Sequence, residues 1–237
     1  MNLNRKSICV ALAISTAVMG GCSSHTMALK YEQSSLLASS TASRKAQVGI
    51  VVDNRGTADN WLGAIRGGYG NPLKKLYTEG STATVVRKAF EDALGARGFL
   101  GTSENSDLRI DVSLTKFDAS YYFNKEAHAH FTMSLIHKPS SNVLFSREYR
   151  TDNKKGGAGA GIFGDVNALA SFANETLNQT IDKALNDPDF LAALNTRITA
   201  GAETPETRLQ KLEALKEKNL ITEDEYQAKR KELLDRL

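Results

Sequence analysis

The segment Leu108-Arg109-Ile110-Asp111-Val112-Ser113-Leu114-Thr115 decides the fold of this chain. Apolar and polar residues alternate along it, which is the period of a β-strand with one buried face. The segment Ala127–Leu135 repeats this alternation, and a turn at Pro139-Ser140-Ser141-Asn142 leads into a further strand over Val143–Arg150. The three segments predict an antiparallel meander whose apolar face covers a hydrophobic core.

Helical patterns stand on both sides of this meander. Apolar residues recur at helical spacing between Ser81 and Gly98, and Gly98 suits the C-terminal cap of that helix. A longer apolar stripe begins at about Asp165 and predicts a second helix. The pair Asp187-Pro188 then predicts a capped short helix, because proline is favoured at the first helical position.

A β-branched run over residues 46–52 predicts one more strand before the first helix. The resulting order is β-α-β-β-β-α. Helices that pack on one face of a sheet bury the apolar sides of both. We therefore predict an α+β domain over residues 46–195, with a mostly antiparallel sheet and its helices on one face.

Residues 54–80 predict a long glycine-rich loop that contains the single tryptophan, Trp61. Long loops without secondary structure are uncommon in compact domains unless they bind something. Trp61 is therefore a candidate contact for a ligand or partner, and a surface loop held down by Trp61 is the alternative. At the start of this loop, we interpret Asp53 and Arg55 as a structural ion pair rather than a ligand site.

The N-terminus has the pattern of a signal peptide over residues 1–21. Arg5 and Lys6 precede the uncharged apolar run Ile8–Met19, which is 12 residues long. A membrane-spanning helix needs about 17 to 25 residues, so this run is typical of a cleaved signal peptide. Its end, Val18-Met19-Gly20-Gly21-Cys22, resembles the lipobox of bacterial lipoproteins. The resemblance implies that Cys22 becomes the lipidated first residue, and a chance cysteine after an ordinary signal is the alternative.

Cysteine usage supports lipidation, because the chain contains only Cys9 and Cys22 and cleavage discards Cys9. A single cysteine in an oxidising compartment has no disulfide partner, and lipidation accounts for it. Ser23 rather than Asp follows Cys22, which by resemblance to lipoprotein sorting rules favours the outer membrane, facing the periplasm. Residues 22–45 contain seven serines, and we predict a flexible tether there.

Composition is that of a globular protein, with 41% hydrophobic and 24% charged residues. Without Arg5 and Lys6, 28 basic and 27 acidic side chains leave a net charge of +1. A nucleic-acid binder carries a clustered basic face, and we predict no nucleic-acid partner. No arrangement of catalytic residues is evident, so we predict a protein that is not an enzyme and takes no cofactor.

His128 and His130 are two residues apart in a predicted strand, so both project to one face and could chelate a metal. A metal site needs a third ligand, and the odd offset of His137 points it elsewhere. We therefore interpret the pair as exposed strand-face histidines and predict no metal.

The segment Gly159–Gly164 matches the glycine spacing of a dinucleotide-binding loop. That loop requires a parallel strand leading into it, whereas the preceding strand belongs to the meander. We predict a glycine-rich loop instead, whose Ile162 and Phe163 are candidate contacts for a partner or a lipid surface.

Residues 196–206 lose periodicity and predict a linker to a distinct tail over residues 207–237. The tail predicts a helical hairpin whose second helix opens with the capping box Thr222-Glu223-Asp224-Glu225. The segments Leu209–Leu212, Leu220–Tyr226 and Lys229–Leu234 resemble the SHOCT short C-terminal module. The resemblance implies oligomerisation or docking, with a solvated hairpin as the alternative; the residues that we expect to carry it are Leu209, Leu212, Leu215, Ile221, Tyr226 and Leu233.

The main domain contains four recognisable motifs: Val48-Gly49-Ile50-Val51-Val52-Asp53-Asn54-Arg55-Gly56, Leu62-Gly63, Ala96-Arg97-Gly98-Phe99 and Asp107-Leu108-Arg109-Ile110-Asp111-Val112. Through these motifs the domain resembles the YajG-like family of lipoproteins over about Val48–Leu194. The resemblance implies attachment to a membrane and leaves the activity open.

These observations together predict an outer-membrane-anchored periplasmic lipoprotein, held by its lipid and acting as a structural and interaction protein. Its partner is a second copy of the chain or another envelope protein. The alternative is an accessory lipoprotein that binds lipid or glycan for an envelope transport system.

Overall fold

The computed structural model of the chain describes residues 23–32, 44–156, 164–196, 209, 212–216 and 221–234. Its strands are β1 (Ser23–Met27), β2 (Ala46–Asp53), β3 (Trp61–Arg66), β4 (Pro72–Thr78), β5 (Leu108–Tyr121), β6 (Lys125–His137) and β7 (Asn142–Lys155). Its helices are α1 (Thr82–Ala96), α2 (Val166–Leu185), α3 (Pro188–Asn195), the helical residues 212–216 (α4) and α5 (Glu223–Leu234).

All seven strands form one mixed sheet in the order β1-β4-β3-β5-β6-β7, with β2 also paired to β5. The predicted meander is confirmed, since β5, β6 and β7 are antiparallel neighbours. The expectation of a mostly antiparallel sheet holds only in part. Strand β1 is parallel to β4, and both β2 and β3 are parallel to β5. The α+β class is confirmed.

One hydrophobic core lies between the sheet and helices α1, α2 and α3. The apolar positions of β5 and β6 alternate inward as predicted and are buried. Phe90 of α1 meets Phe131 of β6 edge to face, with ring centroids 5.2 Å apart. The opposite face of β5, β6 and β7 carries mainly polar side chains, and we call it the open face.

The predicted helix ends are confirmed by their caps. The Ser81 side chain accepts a hydrogen bond from the Thr84 amide at 3.2 Å, which begins α1. Gly98 lies just beyond α1 with φ of +72°, a conformation that favours glycine. The Asp187 carboxylate accepts from the Asp189 amide at 2.8 Å, with Pro188 at the first turn of α3.

A break in the edge pairing of β5 lies between β2 and β3. Strand β2 follows β5 as far as Asp53, opposite Leu114, and β3 resumes the parallel pairing at Gly63, opposite Ala119. The β5 backbone between these points has no strand partner on that side. Buried carbonyl groups without a hydrogen bond would destabilise the sheet, so other donors are needed there.

Arg55 supplies those donors. Its Nη1 donates to the carbonyl oxygens of Phe117 on β5 (2.9 Å) and Trp61 on β3 (2.7 Å), and its Nη2 donates to the Thr82 hydroxyl (2.9 Å) at the start of α1. Asp53 binds the same guanidinium through both carboxylate oxygens, at 2.7 and 2.8 Å. The predicted ion pair is therefore confirmed. It joins strands β2, β3 and β5 to the start of helix α1.

The pair is buried, with 3% of the Arg55 side chain and 15% of the Asp53 side chain exposed. Burial opposes charge on Asp53, but the hydrogen bonds from the Arg55 side chain and backbone outweigh it. They hold the pKa of the Asp53 carboxyl below its usual value. Asp53 is therefore ionised at neutral pH and balances the buried guanidinium.

The predicted loop over residues 54–80 is wrong, because it contains the hairpin β3-β4. The two strands of this hairpin are short, and the adjacent lysines Lys74 and Lys75 interrupt the alternation of apolar and polar residues along β4. Gly63 permits the close approach of β3 to β5, since a Cβ at this position would lie 1.7 Å from the Ala119 carbonyl oxygen. This glycine is therefore required by sheet packing.

The predicted flexible tether is wrong for residues 23–32. Strand β1 adds to the edge of the sheet beside β4, and the backbone of Lys30 exchanges hydrogen bonds with Asn174 and Asn178 of α2. The Tyr31 hydroxyl donates to the Asp182 carboxylate at 2.7 Å and accepts from Arg97 at 2.7 Å. The serine-rich composition obscured these contacts, and residues 33–43 lie outside the described part of the chain.

The capping box of the tail is confirmed. The Thr222 amide donates to the Glu225 carboxylate at 2.9 Å, and the Glu225 amide donates to the Thr222 hydroxyl at 3.3 Å. Lys216 in α4 forms an ion pair with Glu223 at 2.8 Å and lies 4.5 Å from the centroid of the Tyr226 ring. These contacts join α4 to α5, as a helical hairpin requires.

We predict that replacing Arg55 with Met lowers the free energy of unfolding by about 3–5 kcal/mol, because it leaves Asp53 buried without its partner. The matched control is Arg150→Met, which removes an arginine from an exposed pair with Glu148 and should cost less than about 1 kcal/mol. Urea denaturation of the two variants measures the difference. Equal losses would contradict a bridging role for Arg55.

Candidate functional site

A cluster of two histidines and one carboxylate lies on the open face. His128 and His130 project together from β6, as their spacing predicts, and Asp152 lies opposite His128 on β7. Asp152 Oδ1 is 2.5 Å from His128 Nδ1 and 2.8 Å from His130 Nε2. We call these three residues the histidine cluster; their nearest ligand atoms all lie within 4.8 Å of one another.

The histidine cluster is accessible from solvent, with 25% of His128, 15% of His130 and 54% of Asp152 exposed as side chains. The hydrogen bonds from the two imidazoles hold the pKa of the Asp152 carboxyl below its usual value. A carboxylate and two imidazoles that converge in this way are a donor set of the kind that holds Zn²⁺.

Asp152 is the member of the cluster that sequence analysis missed. The predicted strand ended at Arg150, whereas β7 continues to Lys155. A register shift between Leu135 and Ile136 also places Asp152, rather than Thr151, opposite His128. A one-residue slip moves side chains to the other face of a sheet, so an unshifted hairpin would have turned Asp152 towards the core. Prediction of Asp152 as the third ligand would therefore have required prediction of this bulge.

Trp61 lies in β3 and borders a cleft of about 360 Å³ at the break between β2 and β3. Its ring meets the Tyr77 ring edge to face, with centroids 5.4 Å apart. Arg66, Lys116 and Asp118 also line the cleft. These charged walls do not suit an acyl chain, so the cleft does not favour the lipid-binding alternative.

One end of the sheet collects the start of β1, the β3-β4 turn, the β5-β6 turn and the end of β7. We call it the anchor end, because Cys22 directly precedes β1, although Cys22 itself lies outside the described residues. Tyr69 and Phe123 stand at its turns and are exposed. Tyr122 joins the two turns by donating its hydroxyl proton to the Gly68 carbonyl oxygen at 2.6 Å.

Ile162 and Phe163 also lie outside the described residues, as does most of the predicted glycine-rich loop. Their flanking residues are at the anchor end. Gly156 follows the last residue of β7, and the Gly164 carbonyl oxygen accepts a hydrogen bond from Lys74 Nζ at 2.7 Å. The proposed contact role of Ile162 and Phe163 stays a prediction.

Most candidate residues of the tail are partly buried within the structure described. Leu212 is buried, Leu209, Ile221 and Tyr226 are half-buried, and Leu215 is 40% exposed. Leu233 lies in α5. Their role in oligomerisation or docking stays a prediction.

Across the described residues, every helix falls short of the length and apolar character that crossing a membrane requires.

The fold of this chain is similar to that of several solved structures. A Xanthomonas campestris protein of the DUF330 family is similar over 72% of this chain and 96% of its own, with 13% identity and a TM-score of 0.53. The PelC dodecamer from Paraburkholderia phytofirmans (11% identity, 59% and 89% of the two chains, TM-score 0.35) and lipoprotein GNA1162 from Neisseria meningitidis (13% identity, 56% and 96%, TM-score 0.21) are more distant. TM-scores this low do not support conclusions about this chain.

No curated protein sequence matches this chain. A family model named Lipoprotein_16, described as an uncharacterized lipoprotein, matches residues 36–195. This match covers the region that resembles YajG-like lipoproteins and ends before the tail, so the SHOCT resemblance stays a prediction. The chain belongs to the Lipoprotein_16 family of uncharacterized lipoproteins.

Proposed function

We propose that this lipoprotein is anchored in the outer membrane, faces the periplasm and acts as a non-enzymatic structural and interaction protein. Lipid at Cys22 holds the α+β domain at the bilayer. The C-terminal hairpin then mediates oligomerisation or docking to an envelope partner. Membership of the Lipoprotein_16 family supports the assignment as a lipoprotein. The pairing of β1 at the edge of the sheet, directly after Cys22, supports attachment through this residue.

The observation that carries the proposal is the position of β1. Its first residue, Ser23, pairs with Lys74 at the edge of the sheet and directly follows Cys22. One residue spans at most about 3.6 Å, so acyl chains on Cys22 emerge beside the folded sheet rather than from a long tether. Two or more such chains hold a protein stably at a membrane.

The anchor end has side chains that suit a lipid surface. The aromatic rings of Tyr69 and Phe123 are exposed at its two turns, and aromatic residues are favoured at the interface between membrane and water. Basic residues outnumber acidic ones there, five to two: Arg66, Lys74, Lys125, Lys154 and Lys155 against Glu126 and Asp165. Each basic side chain near an anionic bilayer contributes about 1 kcal/mol of attraction.

The tail supplies the second half of the proposal. A hairpin of about 30 residues is too small to bury a sufficient core alone, and Leu215 is 40% exposed. Contact with another copy or a partner would cover such residues. Anchoring confines the molecules to one surface and raises the effective concentration of the hairpins for each other.

Replacing Cys22 with Ala should release the protein from membranes into the soluble periplasmic fraction, because the thioether-linked acyl chains can no longer form. Cell fractionation and immunoblotting measure the distribution. The matched control is Cys9→Ala, which removes the other cysteine and should leave the protein in the membrane fraction. Continued membrane association of the Cys22 variant would refute the anchor.

Deletion of residues 207–237 should lower the oligomeric mass in detergent, since the proposed contact residues lie in that segment. Multi-angle light scattering gives the mass, and Leu215→Asp tests one exposed apolar side chain without removing the hairpin. An unchanged mass for the deleted chain, together with unchanged capture of envelope partners by crosslinking, would argue against the interaction role.

A further inference from the structure

The histidine cluster has the composition of a metal site, and neither the lipid anchor nor the hairpin accounts for it. Two imidazoles and a carboxylate converge from adjacent strands, although nothing in the core or the helix caps requires them to meet. We propose that His128, His130 and Asp152 bind a divalent transition-metal ion such as Zn²⁺. This inference does not depend on the proposed function.

The atoms that would bind the metal are His128 Nδ1, His130 Nε2 and the Asp152 carboxylate. Zinc lies about 2.0–2.2 Å from nitrogen and oxygen ligands, so neighbouring ligands of one ion are about 3.4 Å apart in a tetrahedral site. Asp152 Oδ1 is 2.5 and 2.8 Å from the two imidazole nitrogens. Binding of an ion therefore requires the three ligand atoms to move to separations of about 3.4 Å, and the exposed Asp152 side chain lies at the solvent side of the cluster.

Each neutral imidazole has one lone pair to give to the metal. Coordination through Nδ1 of His128 leaves its proton on Nε2, and coordination through Nε2 of His130 leaves its proton on Nδ1. Imidazole is a preferred ligand of zinc, copper and nickel, whereas calcium and magnesium take oxygen ligands. The donor set therefore selects a transition metal and leaves at least one coordination position for water.

Charges around the histidine cluster favour a dication. On the open face, Asp118 lies opposite His128 on β5, and Lys116 and Arg150 lie opposite His130 on β5 and β7. Arg150 is paired with Glu148 at 2.7 Å, and Lys154 is paired with Glu126 at 2.7 Å. With neutral histidines, four carboxylates against three cations leave an excess negative charge for the metal to balance.

Strand β5 separates the histidine cluster from the cleft beside Trp61. Lys116 and Asp118 line that cleft, and the same two residues are the β5 neighbours of His130 and His128. One strand therefore separates the cleft from the proposed ligands, and neighbouring strands are about 4.8 Å apart. A metal bound by the histidine cluster would lie on the partly exposed open face and not in the core.

Zinc titration by isothermal calorimetry tests the proposal. The full chain would carry Cys9→Ser and Cys22→Ser, which remove both thiols as competing ligands. We expect one Zn²⁺ per chain. Asp152→Asn should weaken binding at least tenfold, and the double variant His128→Gln, His130→Gln should abolish it. The matched control is His25→Gln, which removes a histidine of β1 and should change the affinity less than twofold.

Thermal unfolding without zinc checks that the variants fold, and similar midpoints are expected because the side chains lie on the open face. Zinc should then raise the midpoint of the parent and of His25→Gln but not that of the double variant. Binding by the double variant as tight as by the parent would overturn the proposal. Undiminished affinity in Asp152→Asn would overturn the three-residue site.

Discussion

The architecture depends on the buried guanidinium of Arg55. Where β2 leaves β5, this side chain donates to backbone carbonyl oxygens of β5 and β3, and its charge is balanced by Asp53. Strand β3 can therefore continue the edge that β2 begins. Strand β4 pairs with β3, and β1 pairs with β4, so the place where the chain leaves the sheet towards Cys22 follows from this one bridge.

The parts of the fold that sequence analysis predicts are those with a long, regular period. Strand β5 alternates over Leu108–Leu114, and β6 alternates over nearly all of its 13 residues. Helices α1 and α2 carry apolar stripes between clear capping residues. Strands β1, β3 and β4 escape prediction because they have only five to seven residues. Glycine interrupts the alternation of β3, paired lysines interrupt that of β4, and β1 is mainly polar. Their positions are set by partners distant in sequence, which local patterns do not contain.

The candidate sites likewise combine features that local sequence patterns predict with features that depend on partners distant in sequence. The histidine pair can be predicted from the sequence, because side chains two residues apart in a strand lie on the same face. Asp152 joins the pair only through a bulge in the β6-β7 pairing. The anchor end unites turns that are about 50 residues apart in sequence, 67–71 and 122–124, with the start of β1. In both cases the sequence shows which types of side chain are present, whereas the register of the sheet determines which of them lie close together. One sheet thus presents both the anchor end, which we propose faces lipid, and a separate polar face.

The central claim is that the anchor end lies against the bilayer, and it can be measured directly on the lipidated protein in phosphatidylethanolamine–phosphatidylglycerol vesicles. Phe123→Cys and Val143→Cys place a nitroxide label at two exposed apolar positions, 62% and 60% exposed, at opposite ends of the sheet. We predict that the label at 123 is accessible to lipid-soluble oxygen and shielded from a water-soluble nickel chelate, with the reverse at 143. Equal accessibility at both positions would contradict the account.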